Sequence, residues 1–382
     1  MKKVIIVGAS YAGLYAAKKL ALCSDVEVIL FDKNAYHYIQ VESYGFVATK
    51  YKASDVTINT SDYINGLNAN VKFQQNEILS FDSEAKTITT IDNEEFTYDE
   101  LIIATGSLTN FPPQVPNIQK YSIGIKTLQR ASEVEQTFGK VINDVIWKSK
   151  NNSKKSYNMV IGGAGLSGVE IAAEMANLLN KQKSKTNTEA YDINIIIVDG
   201  MKTVLPGMDE RLVNASQERL EELGIKIYLG SFIKDVDENK IYLMNDVEIE
   251  YDYFVFTGGI KAITLNSSKE YAVNKLNQYV VNEKLQLPEE ENIHVIGDAA
   301  EMMINDKYYP PTAQIAIKAG EYVADAITTN NTDKFDFKSN GVLVSLGGTY
   351  AVGLANDKYF IKGLCAHILK KVVTTMHKRK FI

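Results

Sequence analysis

The chain has 382 residues, 45% of them hydrophobic and 23% charged, and a formal net charge of −6. Ordinary globular composition at this length predicts more than one core, and the acidic balance argues against a nucleic-acid partner, which wants a basic field. Two cysteines, Cys23 and Cys365, cannot make a disulfide framework, and no CxxC or Cys/His cluster offers a metal site, so a reducing setting and no metal are expected.

Lys2 and Lys3 precede an apolar run, as in a signal peptide, but the run is short and enters a glycine turn at once. Val4–Val7 is therefore predicted to be a buried first strand. The turn is Gly8-Ala9-Ser10-Tyr11-Ala12-Gly13, followed by a predicted helix over 14–22 and a strand over 26–31 that ends at Asp32. This is the grammar of a dinucleotide fingerprint, in which the first glycine makes the tight turn, the second admits the pyrophosphate and the third lets helix meet strand. Phosphates then face free N–H groups at the helix N-terminus. Ser10 occupies the middle position, where a small hydroxyl side chain can itself bond phosphate.

The grammar recurs at Gly163-Ala164-Gly165-Leu166-Ser167-Gly168, running into Val169-Glu170. A helix over 166–180 and a strand over 193–198 ending at Asp199 follow, with a polar surface insertion between them over 181–191. One such motif is a weak signal, but two in matched contexts are a strong one, and they imply two bound dinucleotides. The stretches 71–106 and 225–259 repeat as well, each closing in an apolar strand and small residues, Ala104-Thr105-Gly106 and Thr257-Gly258-Gly259. Duplicated architecture is the simplest reading. Asp32 and Asp199 stand where a carboxylate bonds ribose hydroxyls, and a carboxylate at Asp199 followed by Gly200 favours NADH over NADPH.

Residues 148–156 and 330–339 are polar and read as linkers. Asn292–Asp298 is another apolar strand ending in glycine, which suggests that the first domain is completed after the second. Near the C-terminus Ile361, Leu364, Cys365, Ile368, Leu369, Val372, Val373 and Met376 form one apolar helical stripe, with Lys362, His367, Lys370, Lys371 and His377-Lys378-Arg379-Lys380 around it. A basic amphipathic end on an acidic chain reads as a membrane-surface helix; the alternatives are docking on the core or on the mate in a homodimer. No stretch approaches the roughly 18 apolar residues of a spanning helix.

Together, the first glycine turn, Ala104-Thr105-Gly106, the second turn with Gly168-Val169-Glu170, and Gly297-Asp298 resemble the flavin-dependent pyridine nucleotide-disulfide oxidoreductases over nearly the whole chain. The segment 36–50 lacks the cysteine pair of the disulfide reductases, and too few cysteines are present for a sulfide:quinone oxidoreductase. Thr203–Asp209, Pro311-Thr312-Ala313-Gln314-Ile315-Ala316 and the segment 344–353 resemble the type II NADH dehydrogenases. Lys318 stands where that family often has a second glutamine, and the segment 37–49 lacks its usual proline.

The resemblance implies an α/β fold of two doubly wound, Rossmann-like nucleotide-binding domains, with FAD on 1–115 and 280–335 and NADH on 116–279. A membrane-association or dimer element would span 336–382. FAD would be held by Gly8, Ser10, Tyr11, Ala12, Gly13, Asp32, Lys33, Ile78, Ala104, Thr105, Gly106, Gly297, Asp298 and Ala313. NADH would be held by Gly163, Gly165, Leu166, Ser167, Gly168, Glu170, Asp199, Gly258 and Gly259.

Glu170 would orient nicotinamide or relay protons, the bland alternative being helix-dipole compensation. Gln314 would border the quinone site, and Lys318 would place a cation near the flavin, against the alternative of a solvated lysine. The expected activity is non-proton-pumping transfer of electrons from NADH through flavin to a membrane quinone, on the cytoplasmic face of the cell membrane. A soluble NAD(P)H-dependent FAD reductase with another acceptor is the alternative, followed by a sulfide:quinone oxidoreductase and a non-catalytic nucleotide sensor.

Overall fold

The computed structural model describes residues 1–150, 156–186, 192–304, 307–329 and 333–381. The chain divides into two compact units, one made of 1–38, 57–108 and 260–338, the other of 39–56, 109–259 and 339–382. Each is built on a parallel sheet.

In the first unit the strand order is Ile293–Val295, Glu100–Ile103, Lys2–Val7, Val26–Asp32, Val71–Gln75, every neighbour parallel. The central strands are apolar on both faces because both are covered, and Val4, Ile6, Leu30, Phe31 and Leu101–Ile103 are wholly buried. The edge strand Ile293–Val295 comes from beyond the second fingerprint, as the late apolar strand in the sequence suggests. The first helix, Tyr11–Leu20, starts inside the glycine turn and ends before Leu22, which is exposed. It lies against the Ala313–Thr329 helix so closely that a Cβ on Gly320 would fall 2.3 Å from the Ala12 carbonyl oxygen.

In the second unit the order is Lys226–Tyr228, Asp192–Val198, Ser156–Gly162, Tyr253–Phe256, again all parallel. Val160, Ile196, Val198 and Phe254 anchor its core together with Ile241 and Ile249 from an antiparallel ribbon. The duplication is visible in detail: the ribbon strands Ile78–Asp82 and Ile233–Val236 each carry an irregularity just after their first residue, between Ile78 and Ser80 and between Ile233 and Asp235.

The second fingerprint helix runs Leu166–Thr186, six residues beyond its expected end. Lys181, Gln182 and Lys183 are good helix formers with no Gly or Pro to stop them, so the expected loop begins as helix; its remainder, 187–191, lies outside the described residues. Of the expected linkers, 148–150 close the Leu128–Lys150 helix, while 151–155 and 330–332 lie outside the described residues.

The C-terminal stretch belongs to the second unit. Gly341–Ser345, Ala351–Ala355 and Tyr359–Gly363 form an antiparallel sheet, and the helix Leu364–Arg379 follows. Ile361 and Lys362 are strand residues, so the helical stripe starts at Leu364. No described helix is long and apolar enough to cross a membrane.

Candidate functional site: two nucleotide cradles and a buried ionic layer

The two glycine turns are built alike. Gly8 and Gly163 both have φ of 111°, a conformation open to glycine. A Cβ on Gly13 would lie 1.9 Å from the Gly8 carbonyl oxygen, and one on Gly168 would lie 1.9 Å from that of Gly163. Each third glycine is thus demanded by the turn's own backbone. Each turn is also tied to its strand-end carboxylate. Ala9 N–H donates to Asp32 Oδ2 at 2.7 Å and Asn34 N–H to Oδ1 at 2.8 Å. Ala164 N–H donates to Asp199 Oδ2 at 2.6 Å and Met201 N–H to Oδ1 at 2.7 Å. Burial raises the Asp32 carboxyl above the usual carboxylate range, and the Asn34 and Ala9 N–H groups pull it back.

Two glycines leave room for a ligand. Nothing lies within 4 Å of a Cβ built on Gly165, the middle position of the second turn, nor on Gly106 after the Glu100–Ile103 strand, whose φ is +72°. In the first unit Ser10 precedes the helix in extended backbone and makes no side-chain cap bond. Tyr11 is buried edge-on to His37, with ring centroids 4.7 Å apart. Ala12 lies beneath Gly297, and the Ser107 hydroxyl donates to Asp298 at 2.6 Å. The Thr105 hydroxyl donates to the Ile263 carbonyl at 2.5 Å. Ala104 closes over Gly8, Lys33 pairs with Glu77 at 3.0 Å, and Ile78 is buried. An open glycine notch, a helix N-terminus and an anchored carboxylate fit the pyrophosphate and ribose of FAD.

In the second unit Leu166 and Ser167 open the fingerprint helix, Ser167 exposed, and Gly258 and Gly259 are exposed beyond the strand that ends at Phe256. This cradle fits a second dinucleotide. Ala313 begins its helix with Gln314 exposed beside it. Lys318, one turn on, is 53% exposed and ion-paired with Glu321 at 2.6 Å.

Glu170 is buried in the second unit. It accepts a hydrogen bond from Ser345 N–H at 2.8 Å and is in ion-pair contact with Lys370 of the C-terminal helix. Burial drives its carboxyl upward and the Lys370 ammonium opposes the rise. A turn further, Glu174 pairs with Lys50 at 2.9 Å and accepts from Gly348 N–H. Gly347 and Gly348 have positive φ, and a Cβ on Gly347 would fall 2.6 Å from the Ala173 carbonyl oxygen, so the turn fits tightly on the fingerprint helix.

The Tyr44 ring lies beneath Lys370 at 4.7 Å and the Tyr51 ring beneath Lys378 at 5.8 Å. Burial and the nearby Glu42 carboxylate push the Tyr51 phenol up to about 12 and the Tyr44 phenol higher still. His367 is held below its ordinary value by burial and by Lys50.

The C-terminal helix turns a polar face to this layer and leaves its apolar stripe outward. Ala366 and the partly buried His367, Lys370, Thr374, His377 and Lys378 face the protein, while Leu364, Ile368, Val372, Val373 and Met376 are 46–60% exposed. Lys370, expected in the solvated basic rim, is the residue most directly bonded to the fingerprint helix. Docking of the stripe on the core is therefore overturned. Lys50, Glu174, Tyr44 and Tyr51 escaped the sequence reading; the one available signal was Lys370 sitting between apolar neighbours three and four residues apart.

Two dinucleotide cradles on duplicated parallel-sheet units define a nucleotide-dependent oxidoreductase. The chain belongs to the pyridine nucleotide-disulphide oxidoreductase family, whose model matches residues 2–320. It is similar to the type II NADH:quinone oxidoreductase of Staphylococcus aureus, 28% identical over 392 residues that cover 98% of this chain and 94% of that one. It is also 27% identical to the NADH dehydrogenase-like protein YutJ of Bacillus subtilis, over 99% of each chain. The structure of NDH2 from Plasmodium falciparum in complex with NADH shares the fold, with a TM-score of 0.85 at 21% identity, covering 98% of this chain and 94% of that one.

Proposed function

We propose that the protein is an FAD-dependent NADH:quinone oxidoreductase that moves no protons across the membrane. The observation that carries this reading is the matched pair of glycine turns, each tied by a backbone N–H to its strand-end carboxylate. The first, with Gly8, Ser10, Gly13, Asp32, Gly106 and Asp298, suits FAD; the second, with Gly163, Gly165, Gly168 and Asp199, suits NADH. FAD bound there supplies a two-electron acceptor for the hydride of NADH and a donor to quinone.

The protein's own part is placement and proton supply. Asp199 accepts ribose hydroxyls, and the N–H groups opening the Leu166–Thr186 helix meet phosphate. Glu170, raised by burial and touching Lys370, is an acid–base pair able to hold or release a proton. Gln314 is assigned to the quinone border. Lys318 is assigned a weaker electrostatic role, because Glu321 offsets its charge.

The outward apolar ridge of the C-terminal helix, flanked by exposed Lys371, Arg379 and Lys380, suits a peripheral seat on an anionic membrane surface, where quinone is dissolved. The cytoplasmic face is the side we assign. A homodimer through the same ridge is the second reading, favoured by the same exposure.

The test is anaerobic reduction of the purified flavoprotein by NADH, NADPH and sulfide in turn, followed by a soluble quinone. NADH should bleach the flavin and quinone restore it. Bleaching by sulfide alone, or restoration only by another acceptor, would refute the assignment.

A further inference from the structure

The second unit presents an exposed aromatic ring beside its strand-end carboxylate. Phe232 is 58% exposed, and Met201, Tyr228 and Met244 around it are 48%, 37% and 62% exposed. Tyr228 ends the strand Lys226–Tyr228, and the other three lie on adjoining loops. Asp199 N–H donates to the Tyr228 carbonyl, Gly230 N–H to the Met201 carbonyl, and Met244 N–H to the Phe232 carbonyl at 2.9 Å. All but Met244 lie at or just beyond the carboxyl ends of neighbouring parallel strands, where open α/β sheets bind ligands. The ring itself is pressed on the backbone of Gly200, since a Cβ there would fall 2.1 Å from its Cδ1. It therefore sits one residue from Asp199, the carboxylate that suits a ribose. An apolar cluster left open beside such a carboxylate calls for a ligand with a flat, apolar face.

The duplicated first unit serves as an internal control. Glu77 occupies the place of Phe232: each directly precedes its ribbon strand, and Ile91 N–H donates to the Glu77 carbonyl at 2.8 Å just as Met244 N–H donates to that of Phe232. Lys33 follows Asp32 as Gly200 follows Asp199, and Lys33 pairs with Glu77 at 3.0 Å. One scaffold thus carries a charged pair in one copy and a bare glycine under a ring in the other. The ring is particular to the second copy and not a general feature of the scaffold.

Building on the NADH assignment above, we infer that Phe232, seated on Gly200, is the shelf on which the adenine of the incoming dinucleotide stacks. The shelf sets affinity for the adenosine half and leaves the nicotinamide chemistry to the rest of the site. It also bears on cofactor choice, because the position that holds an ammonium in the first unit, Lys33, is Gly200 in the second and offers no cation to a 2′-phosphate.

The test uses flavin-loaded protein and ADP-ribose, which carries the adenosine half without nicotinamide. Calorimetric affinity is measured for the wild type, Phe232→Ala and Phe232→Tyr, alongside the NADH concentration giving half-maximal flavin reduction. Loss of one stacking ring should weaken ADP-ribose binding by about fivefold to a hundredfold in Phe232→Ala, and Phe232→Tyr should restore it to within about twofold. Wild-type affinity in Phe232→Ala, or no binding by the wild type, overturns the shelf. Ring-dependent binding of ADP-ribose in a protein whose flavin NADH cannot reduce leaves the shelf standing and refutes the donor assignment instead.

Discussion

Lys370 and Glu170, 200 positions apart in the chain, are in direct ionic contact inside the second unit, with 13% and 11% of their side chains exposed. Removing one partner leaves the other charge buried. Lys370→Met should cost about 3–5 kcal/mol of stability, read by guanidinium unfolding. Adding Glu170→Gln, which keeps an acceptor for Ser345 N–H, should recover most of it. The Glu170 carboxyl is raised from its ordinary 4.5, so protonation favours the fold. The Lys370→Met penalty should accordingly shrink as pH falls through the raised value and be full above it. A penalty that does not vary with pH would mean the carboxyl is not its source.

His377 gives the opposite sign. Burial, with Lys380 and Lys378 adding to it, lowers its pKa from 6.5 to about 4, so the folded protein holds it neutral. Its contribution is fully present above pH 6.5 and is lost as pH falls toward 4, because the unfolded chain takes up the proton first. His377→Gln should flatten that part of the stability profile, measured by unfolding midpoints across the window, and amide exchange should report opening of the C-terminal helix.

The outward ridge can be tested without touching the ionic layer beneath it. Ile368→Gln, Val372→Gln and Met376→Gln together replace exposed residues and should change stability by only about 0.5 kcal/mol each. Sedimentation with anionic vesicles should fall sharply, and wild-type binding should weaken with salt. Undiminished sedimentation would remove the ridge as the membrane seat; loss of a dimer in gel filtration would assign it to a mate. Truncating 360–382 is a poorer test, since it removes most of a sheet strand and strands Glu170.

The two glycines of the second turn should separate folding from binding. Gly168→Ala forces a Cβ within 1.9 Å of the Gly163 carbonyl oxygen and should lower stability by about 1–3 kcal/mol or more. Gly165→Ala meets no atom within 4 Å and should melt like the wild type, yet raise the NADH concentration needed for flavin reduction. Equal melting of the two variants would contradict the turn geometry.

Local chemistry was legible in the sequence wherever backbone geometry dictates residue type. Gly8, Gly13 and Gly168 could be read because no other side chain fits beside the facing carbonyl, Gly163 because its φ of +111° suits glycine and the Thr257 hydroxyl and Gly258 backbone crowd it, and Asp32 and Asp199 because a strand-end carboxylate ties the same turn. The completion of the first sheet by Ile293–Val295 was legible from apolar periodicity, and the family from motifs at fixed intervals. For the C-terminal helix the apolar stripe was legible, but the ionic contact of Lys370 with Glu170 that holds its other face was not. A hydrophobic stripe with basic neighbours normally turns its apolar side inward, but Glu170 lies on the floor beneath it, and Lys370 on the helix pairs with it there. Periodicity names the two faces of a helix; the charge waiting on the neighbouring element decides which of them is buried. The same holds for Phe232: its aromatic character is local, whereas its seat on Gly200 exists only once separate strands end side by side.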